Sequence, residues 1–382
     1  MKKVAKNVQT TVLIRTAWAI FLCMFITVSL HSAPSGNVLT KKQYLKAMNK
    51  VLNDVIKRCP ENPGHKLLFS ANLFFAHGAA IRSMPLDILK LYVDAFREAG
   101  VNRVDINLGI WPWAKQDATT IHKYVELIRY IRNSGLGLAL NPVYNVTDGP
   151  VESFNGWANE TLEAFRKIGA QLKPDIFVVI HEPSTINARM KLSVSPARWA
   201  EFARKAALAV KESSPETRCG AGVLWTETSY FNAFLNVEPL SYISLDIYAL
   251  RGLKTYNEMI PRIRKAGKKV YIEETWRPPY FIPSGSKKET LETWSAAGIG
   301  ENTYRKLDCK WMKAMVRYAN TWKMEAVTPF WTQTFFLYVP KTADTCALSP
   351  DYNGKVMEAI KQQKRTATFK AFRKLVRKFG KK

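Results

Sequence analysis

The 382-residue sequence has few of the residues that hold metals. It carries five His and five Cys, with no H-x-H, H-E-x-x-H or paired C-x-x-C among them, which argues against a zinc module or a metal-dependent hydrolase. Glycine is missing where a dinucleotide would need it: Gly135-Leu-Gly137 precedes a predicted strand instead of following one. Long apolar runs are also scarce. One uncharged stretch, Thr16 to Leu30, stands out, and at 15 residues it is short of the roughly 20 that span a bilayer as a helix. Acid is lacking at both ends. Residues 1–53 hold eight Lys or Arg and residues 359–382 hold ten, and neither segment has an Asp or Glu. Setting those 18 cations aside leaves about +8 of the formal +26 for the 305 residues between, so the body is only mildly basic. Wholesale nucleic-acid binding by the body is not implied. With 47% apolar and 23% charged residues, the chain can bury a large core.

Lys2, Lys3, Lys6 and Arg15 precede the apolar run, and Ser32, Ala33, Ser35 and Gly36 follow it. A basic start, an apolar middle and small residues at the exit predict a signal peptide over residues 1–33, or a signal anchor if it is not cleaved. The expected location is outside the cell, in the periplasm or in the cell envelope. Cys59, Cys219, Cys309 and Cys346 then remain in an oxidising compartment, where one or two disulfides are expected against the alternative of free buried thiols. Asn145-Val-Thr147 and Asn159-Glu-Thr161 are formal glycosylation tripeptides.

From His65 onward, strand-like apolar runs alternate with amphipathic helical runs. The strands are expected at Lys66–Phe75, Arg103–Leu108, Gly137–Val143, Asp175–Ile180, Gly220–Thr226, Tyr242–Ala249, Val270–Glu274 and Ala326–Thr332. Helices fall between them, such as Leu86–Ala99 and Pro196–Lys211. Strands rich in Val, Ile, Leu and Phe without clean alternation suit a parallel sheet buried on both faces. Eight strand–helix units predict an α/β fold, a (β/α)8 TIM barrel forming a single catalytic domain over residues 65–360. Residues 34–64 would be an N-terminal helical cap, 277–300 a long loop after the seventh strand, and 361–382 a basic amphipathic tail.

In such a barrel the chemistry sits at the C-terminal ends of the strands. The fourth strand ends Val179-Ile180-His181-Glu182-Pro183, and the seventh ends Tyr271-Ile272-Glu273-Glu274-Thr275-Trp276. Carboxylates at the ends of two buried strands are costly unless paired or used. These motifs resemble those of the clan A glycoside hydrolases, retaining enzymes on a (β/α)8 barrel. The resemblance covers residues 65–340 and is architectural; no long stretch identifies one family. It implies an acid/base glutamate at the end of strand four, often in Asn-Glu-Pro, and a nucleophilic glutamate at the end of strand seven. Glu182 takes the first place, with His181 where the clan has Asn. Glu274 is favoured for the second by its distance from the strand start, and Glu273 is the alternative by its distance from Trp276. Because side chains alternate along a strand, one of the two is expected to face the substrate.

Further residues follow from the same strand ends. The resemblance implies that Tyr248, after strand six, contacts the nucleophile, and that Trp331, in Thr328-Pro-Phe-Trp-Thr332, is a sugar platform. Asn141, ending strand three, is a candidate for binding a sugar hydroxyl. Trp111, Trp113, Trp225 and Trp276 also lie at predicted C-terminal strand ends, where flat rings suit the C–H face of a pyranose. Such chemistry needs two carboxyls, one protonated and one ionised, and no cofactor.

The tail interleaves ten cations with Phe369, Phe372, Leu375, Val376 and Phe379. It predicts a basic amphipathic helix, either in contact with an anionic membrane or acidic polysaccharide, or closing the barrel with its apolar face. The expected function is a secreted retaining hydrolase of a β-linked poly- or oligosaccharide, working as a monomer and without nucleic acid. A carbohydrate-binding barrel that has lost catalysis and an envelope-tethered scaffold remain the alternatives.

Overall fold

The computed structural model describes residues 41–143, 151–276, 301–338 and 350–381. The signal segment, the loop over 277–300 and Cys346 lie outside them. Eight parallel strands close into a barrel in sequence order: β1 Leu68–Asn72, β2 Arg103–Gly109, β3 Gly137–Val143, β4 Ile176–His181, β5 Arg218–Val223, β6 Tyr242–Ile247, β7 Lys269–Thr275 and β8 Ala326–Pro329. The barrel is the single domain expected. β3 and the Leu86–Ala99 helix have the expected bounds. Four strands end earlier than expected: β5 stops at Val223, and β1, β6 and β8 give way to 3-10 turns at Phe74–Ala76, Leu250–Gly252 and Thr332–Phe335. Most residues of these turns are buried, so their sequence reads like strand.

Helix starts follow from capping. Asp117, Ser153, Ser195 and Thr366 each accept a hydrogen bond from a backbone N–H of the first turn, satisfying donors the helix itself cannot. The Leu86–Ala99 helix stops at Gly100, which adopts the left-handed φ of 80°.

Inside the barrel, alternation sorts the side chains. Val104, Ile106 and Leu108 of β2 join the outer core against the helices, while Arg103, Asp105 and Asn107 face the lumen and bond to one another's neighbours across it. The floor of the lumen is apolar: Leu68, Ala139, Ile176, Val178, Tyr242, Tyr271 and Ala326 pack together, with the Tyr242 and Tyr271 rings stacked at 4.4 Å. Two strands break the alternation. Between Val178 and Ile180, β4 has one residue more than β5, and between Tyr271 and Glu274, β7 has one more than β6. β7 is likewise one residue longer than β8 between Ile272 and Thr275. Each is a β-bulge, which re-aims the side chains beyond it.

The N-terminal helix, Lys41–Arg58, lies on the Glu301–Thr321 helix, tied by Arg317 Nε to Cys59 O at 2.7 Å and by Lys310 to Asn49. The C-terminal segment is not an appendage. Its Ala367–Phe379 helix buries Phe369, Phe372, Leu375, Val376 and Phe379, Phe372 meeting Phe69 of β1 and Phe335. Beyond it Leu67 and Gly380 form a bridge. Residue 361 ends the Pro350–Lys361 helix, and the apolar face of the helix that follows is occupied by the barrel. The cations point outward, Arg365 and Arg373 to Glu98 and Lys378 to Glu61. Cys59, Cys219 and Cys309 are free thiols, so no disulfide joins any of these three. Among the described residues, no helix is long and apolar enough to cross a membrane.

Candidate active site

β4 runs through its bulge to His181 and then into Glu182, whose backbone sits at φ 48°, ψ 69°. That left-handed conformation costs a non-glycine residue about 1–3 kcal/mol unless its surroundings enforce it. They do so here. The Glu182 N–H donates to Gly222 O at 3.1 Å, Pro183 starts the Pro183–Met190 helix, and Ser184 is gripped by Glu227. The Glu227 carboxylate accepts from Ser184 N at 2.7 Å, from Ser184 Oγ at 2.5 Å and from Leu224 N at 2.8 Å. This buried clamp ties the loop after β4 to the loop after β5.

Glu182 is 1% exposed. Oε2 accepts from Thr185 Oγ1 at 2.9 Å, and Oε1 is buried without a hydrogen-bond partner. Burial first, opposed by His181 but reinforced by Asp246, Glu274 and Glu227, pushes its carboxyl up to about 8. That shift favours the protonated acid.

Glu274 sits in a different environment. Oε1 accepts from Asn107 Nδ2 at 3.0 Å and Asn141 Nδ2 at 3.2 Å, and Oε2 accepts from Tyr248 OH at 2.5 Å. His181 Nε2 lies 3.9 Å from Oε1. Burial raises this carboxyl too, while the His181 charge and the donors from Tyr248 and Asn107 pull it down. Three donors and a neighbouring cation oppose that rise without reversing it, so the carboxyl stands above its ordinary value.

The β7 bulge changes the expectation for Glu273. Strict alternation would turn it away from the lumen if Glu274 faces in. Instead both face in, at different depths. Glu274 reaches the mouth, and Glu273 lies nearer the floor, where burial pushes it up to about 7 against the pull of Arg103. Arg103 is held by Ser70 Oγ at 3.2 Å and lies over the Tyr271 ring. Asp105 is buried beside them, accepting from Asn72 Nδ2 at 2.6 Å; burial and the Glu273 charge keep it well above the carboxylate range. Asn72 also donates to Asn107 Oδ1, so a hydrogen-bonded chain rises from Asp105 to Glu274.

His181 faces Asp246 Oδ2 of β6 at 2.9 Å, off the N–H axis, as a charge contact and not a linear hydrogen bond. Burial disfavours the charged ring, but Asp246 and then Glu274 outweigh it and hold His181 well above the usual histidine range. His181, Glu182 and Asp246 each bring a polar atom within 4.8 Å of the others. His77, after β1, is pushed down to about 3 by burial and by the Arg189 and His181 charges, and so is neutral. Arg189, on the helix after Glu182, feels both Glu182 and Glu274.

The tryptophans divide. Trp331 is half-buried in a wall of rings, 5.1 Å from Phe74 and 5.2 Å from Phe330, and Phe330 meets Tyr248 at 6.1 Å. This wall adjoins the Glu274 carboxylate through Tyr248. Trp225 is half-buried under Arg251, and Trp111 is buried under Arg82, whose Cζ lies 3.3 Å from its ring centre. Trp113 and Trp276 are not platforms. Trp113 packs on Tyr124 and donates to Gln171. Trp276 follows the outward-facing Thr275, itself bonded to Trp311, and packs on Phe335 at 2% exposure.

Thus Glu182, Glu274, His181, Asn141 and Tyr248 converge, with Trp331 nearby. Asn72, Asp105, Asn107, Asp246, Arg103 and Glu227 were missed. Their signal was present: polar residues two apart in otherwise apolar strands, as in Arg103-Val-Asp105-Ile-Asn107.

No protein-family model and no characterised protein matches the sequence. Solved structures do match in shape. A family 10 endoxylanase from a sugarcane soil metagenome gives a TM-score of 0.52 at 13% identity, over 85% of this chain and 98% of its own. The family 1 β-glucosidase of Thermotoga maritima gives 0.54 at 10%, over 84% and 100%. A GH5_18 protein of Streptomyces cattleya, in complex with GlcNAc, gives 0.55 at 12%, over 82% and 80%. At such identities the likeness shows the fold alone, a (β/α)8 barrel shared with these three structures.

Proposed function

We propose that the chain is a glycoside hydrolase that cleaves a β-linked poly- or oligosaccharide with retention. One observation carries the reading: two buried glutamates, from the bulged strands β4 and β7, meet around one imidazole, Glu274 with three donors on its carboxyl and Glu182 with an Oε1 that has no hydrogen-bond partner. Glu182 is the acid/base. Its proton, kept to about pH 8, goes to the glycosidic oxygen as the bond to the leaving sugar breaks. Glu274 is the nucleophile. Held by Asn107, Asn141 and Tyr248, it attacks the anomeric carbon and forms a glycosyl ester. Glu182, now ionised, takes a proton from water, and that water cleaves the ester with a second inversion, so the product keeps the β configuration. The ring wall of Phe74, Phe330 and Trp331 suits the apolar face of a pyranose.

The endoxylanase and β-glucosidase named among the structural neighbours support a β-linked substrate. The basic start and apolar run of residues 1–33 support export.

The test is turnover of a panel of aryl β-glycosides. Glu182→Gln and Glu274→Gln are each expected to lower kcat by at least about 10³-fold, with 1H NMR showing the β anomer formed first. Binding of glycans without turnover by the wild type would favour the carbohydrate-binding barrel instead.

A further inference from the structure

His181 stands at the centre of the site, where the clan pattern has a neutral asparagine, and it comes with a partner. Asp246 of β6 is fully buried, and its Oδ2 lies 2.9 Å from His181 Nε2. The same nitrogen lies 3.9 Å from Glu274 Oε1, and the ring and Asp246 are both within 4.8 Å of Glu182. Space for the pair comes from β5. A Cβ on Gly222 would sit 2.4 Å from His181 Cδ2, 2.9 Å from Ser244 Oγ and 3.3 Å from Asp246 Oδ2, so this position must be glycine for the ring to reach the carboxylate.

We propose that Asp246 is a positioning residue, holding the His181 ring against the nucleophile Glu274, in the pocket that Gly222 leaves open. The inference rests on the hydrolase reading for its consequence, but not for its geometry. Asp246 needs no contact with a sugar to act: it turns the ring toward Glu274 and supplies the counter-charge that keeps it protonated. A nearly dry carboxylate with two amide donors and one phenol gains a neighbouring positive charge. The groups acting on His181 come from several elements: Asp246 from β6, Glu274 and Glu273 from β7, Glu182 after β4, Asp105 from β2 and His77 after β1. Five of the six are carboxyls, and Asp246, at 2.9 Å, is nearer the ring nitrogen than Glu274 at 3.9 Å.

The test uses the full chain and two independent readouts. 15N-imidazole NMR titration of the wild type is expected to show His181 protonated beyond pH 7, and Asp246→Asn to move its titration down by at least about one pH unit. In turnover, Asp246→Asn is expected to lower kcat by tenfold or more with KM little changed. In a His181→Asn background, which has no ring to hold, the same substitution is expected to cost less than threefold. Gly222→Ala, which moves the ring without altering any charge, is expected to resemble Asp246→Asn in kcat. An unchanged His181 titration in Asp246→Asn would overturn the proposal, and so would an equal kcat loss in the two backgrounds. Because the titration needs no substrate, a protein that shows the shift but never turns over a glycoside would sink the hydrolase reading while leaving the ion pair standing.

Discussion

The floor and the mouth of the barrel obey opposite rules. At the floor, Leu68, Ala139, Ile176, Tyr242, Tyr271 and Ala326 fill the lumen with apolar volume. Toward the mouth the inward positions carry Asn72, Asp105, Asn107, Asn141, His181, Asp246 and Glu274, nearly all buried. Several atoms there, including Glu182 Oε1 and Asp246 Oδ1, have no hydrogen-bond partner. Unpaired buried polar atoms destabilise a fold, so the mouth is held in place by the floor and the helical shell. The contrast teaches where stability and chemistry reside: substitutions below should unfold the protein, and those above should silence it while leaving it folded.

The largest expected effect is on chemistry. Glu274→Gln should abolish turnover by at least about 10³-fold while the circular-dichroism melt stays within a few degrees of wild type; comparable loss in Glu273→Gln would erase the distinction between the two depths. Next is the shell. Phe372→Ala, which opens a hole beside Phe69 and Phe335, should cost about 3–5 kcal/mol in urea unfolding without changing the kcat of the remaining folded protein. Smaller is the clamp between the loops after β4 and β5. Glu227→Ala strands Ser184 N and Leu224 N and should cost about 1–3 kcal/mol, with a fall in kcat because the loop fixing Glu182 is released.

A pH series sharpens the comparison. Glu182 holds its proton to about pH 8 in the fold and releases it near 4.5 when unfolded. Between those values the folded state binds more protons, so stability falls as pH rises from about 4.5 to about 8. Glu227 and Glu273, raised to about 7, act in the same direction. Thermal melts should therefore decline over this range, and Glu182→Gln should flatten the decline and raise Tm at pH 8. Activity should fall as pH rises past about 8, when the acid loses its proton. The smallest effect is at the surface: Arg373→Gln, which breaks a half-exposed pair with Glu98, should change stability by no more than about 1 kcal/mol.

Much of this architecture was legible in the residues. The periodicity of eight apolar runs specified the barrel, and His181-Glu182-Pro183 with Glu273-Glu274 specified which strand ends to examine. Two things were not legible. A β-bulge adds a residue without any sequence mark in Val178-Val179-Ile180 or Ile272-Glu273-Glu274, so strict alternation forced a choice between two glutamates that both face inward. The tryptophans misled for a related reason. Composition places Trp111, Trp113 and Trp276 at strand ends, but whether a ring faces the mouth or the helices depends on the turn that follows. The apolar face of the basic tail was ambiguous because a membrane and a barrel present the same chemistry to it.

The most direct test of the central claim is trapping of the glycosyl-enzyme. The wild-type protein would be incubated with 2-deoxy-2-fluoro β-glycosyl fluorides of the gluco, manno and xylo series, digested, and its peptides weighed and sequenced by mass spectrometry. The account predicts a single adduct on Glu274, absent from Glu274→Gln and formed more slowly in Asp246→Asn. An adduct on Glu273 would contradict it, and so would an unlabelled protein that nevertheless turns over one of the matching aryl β-glycosides.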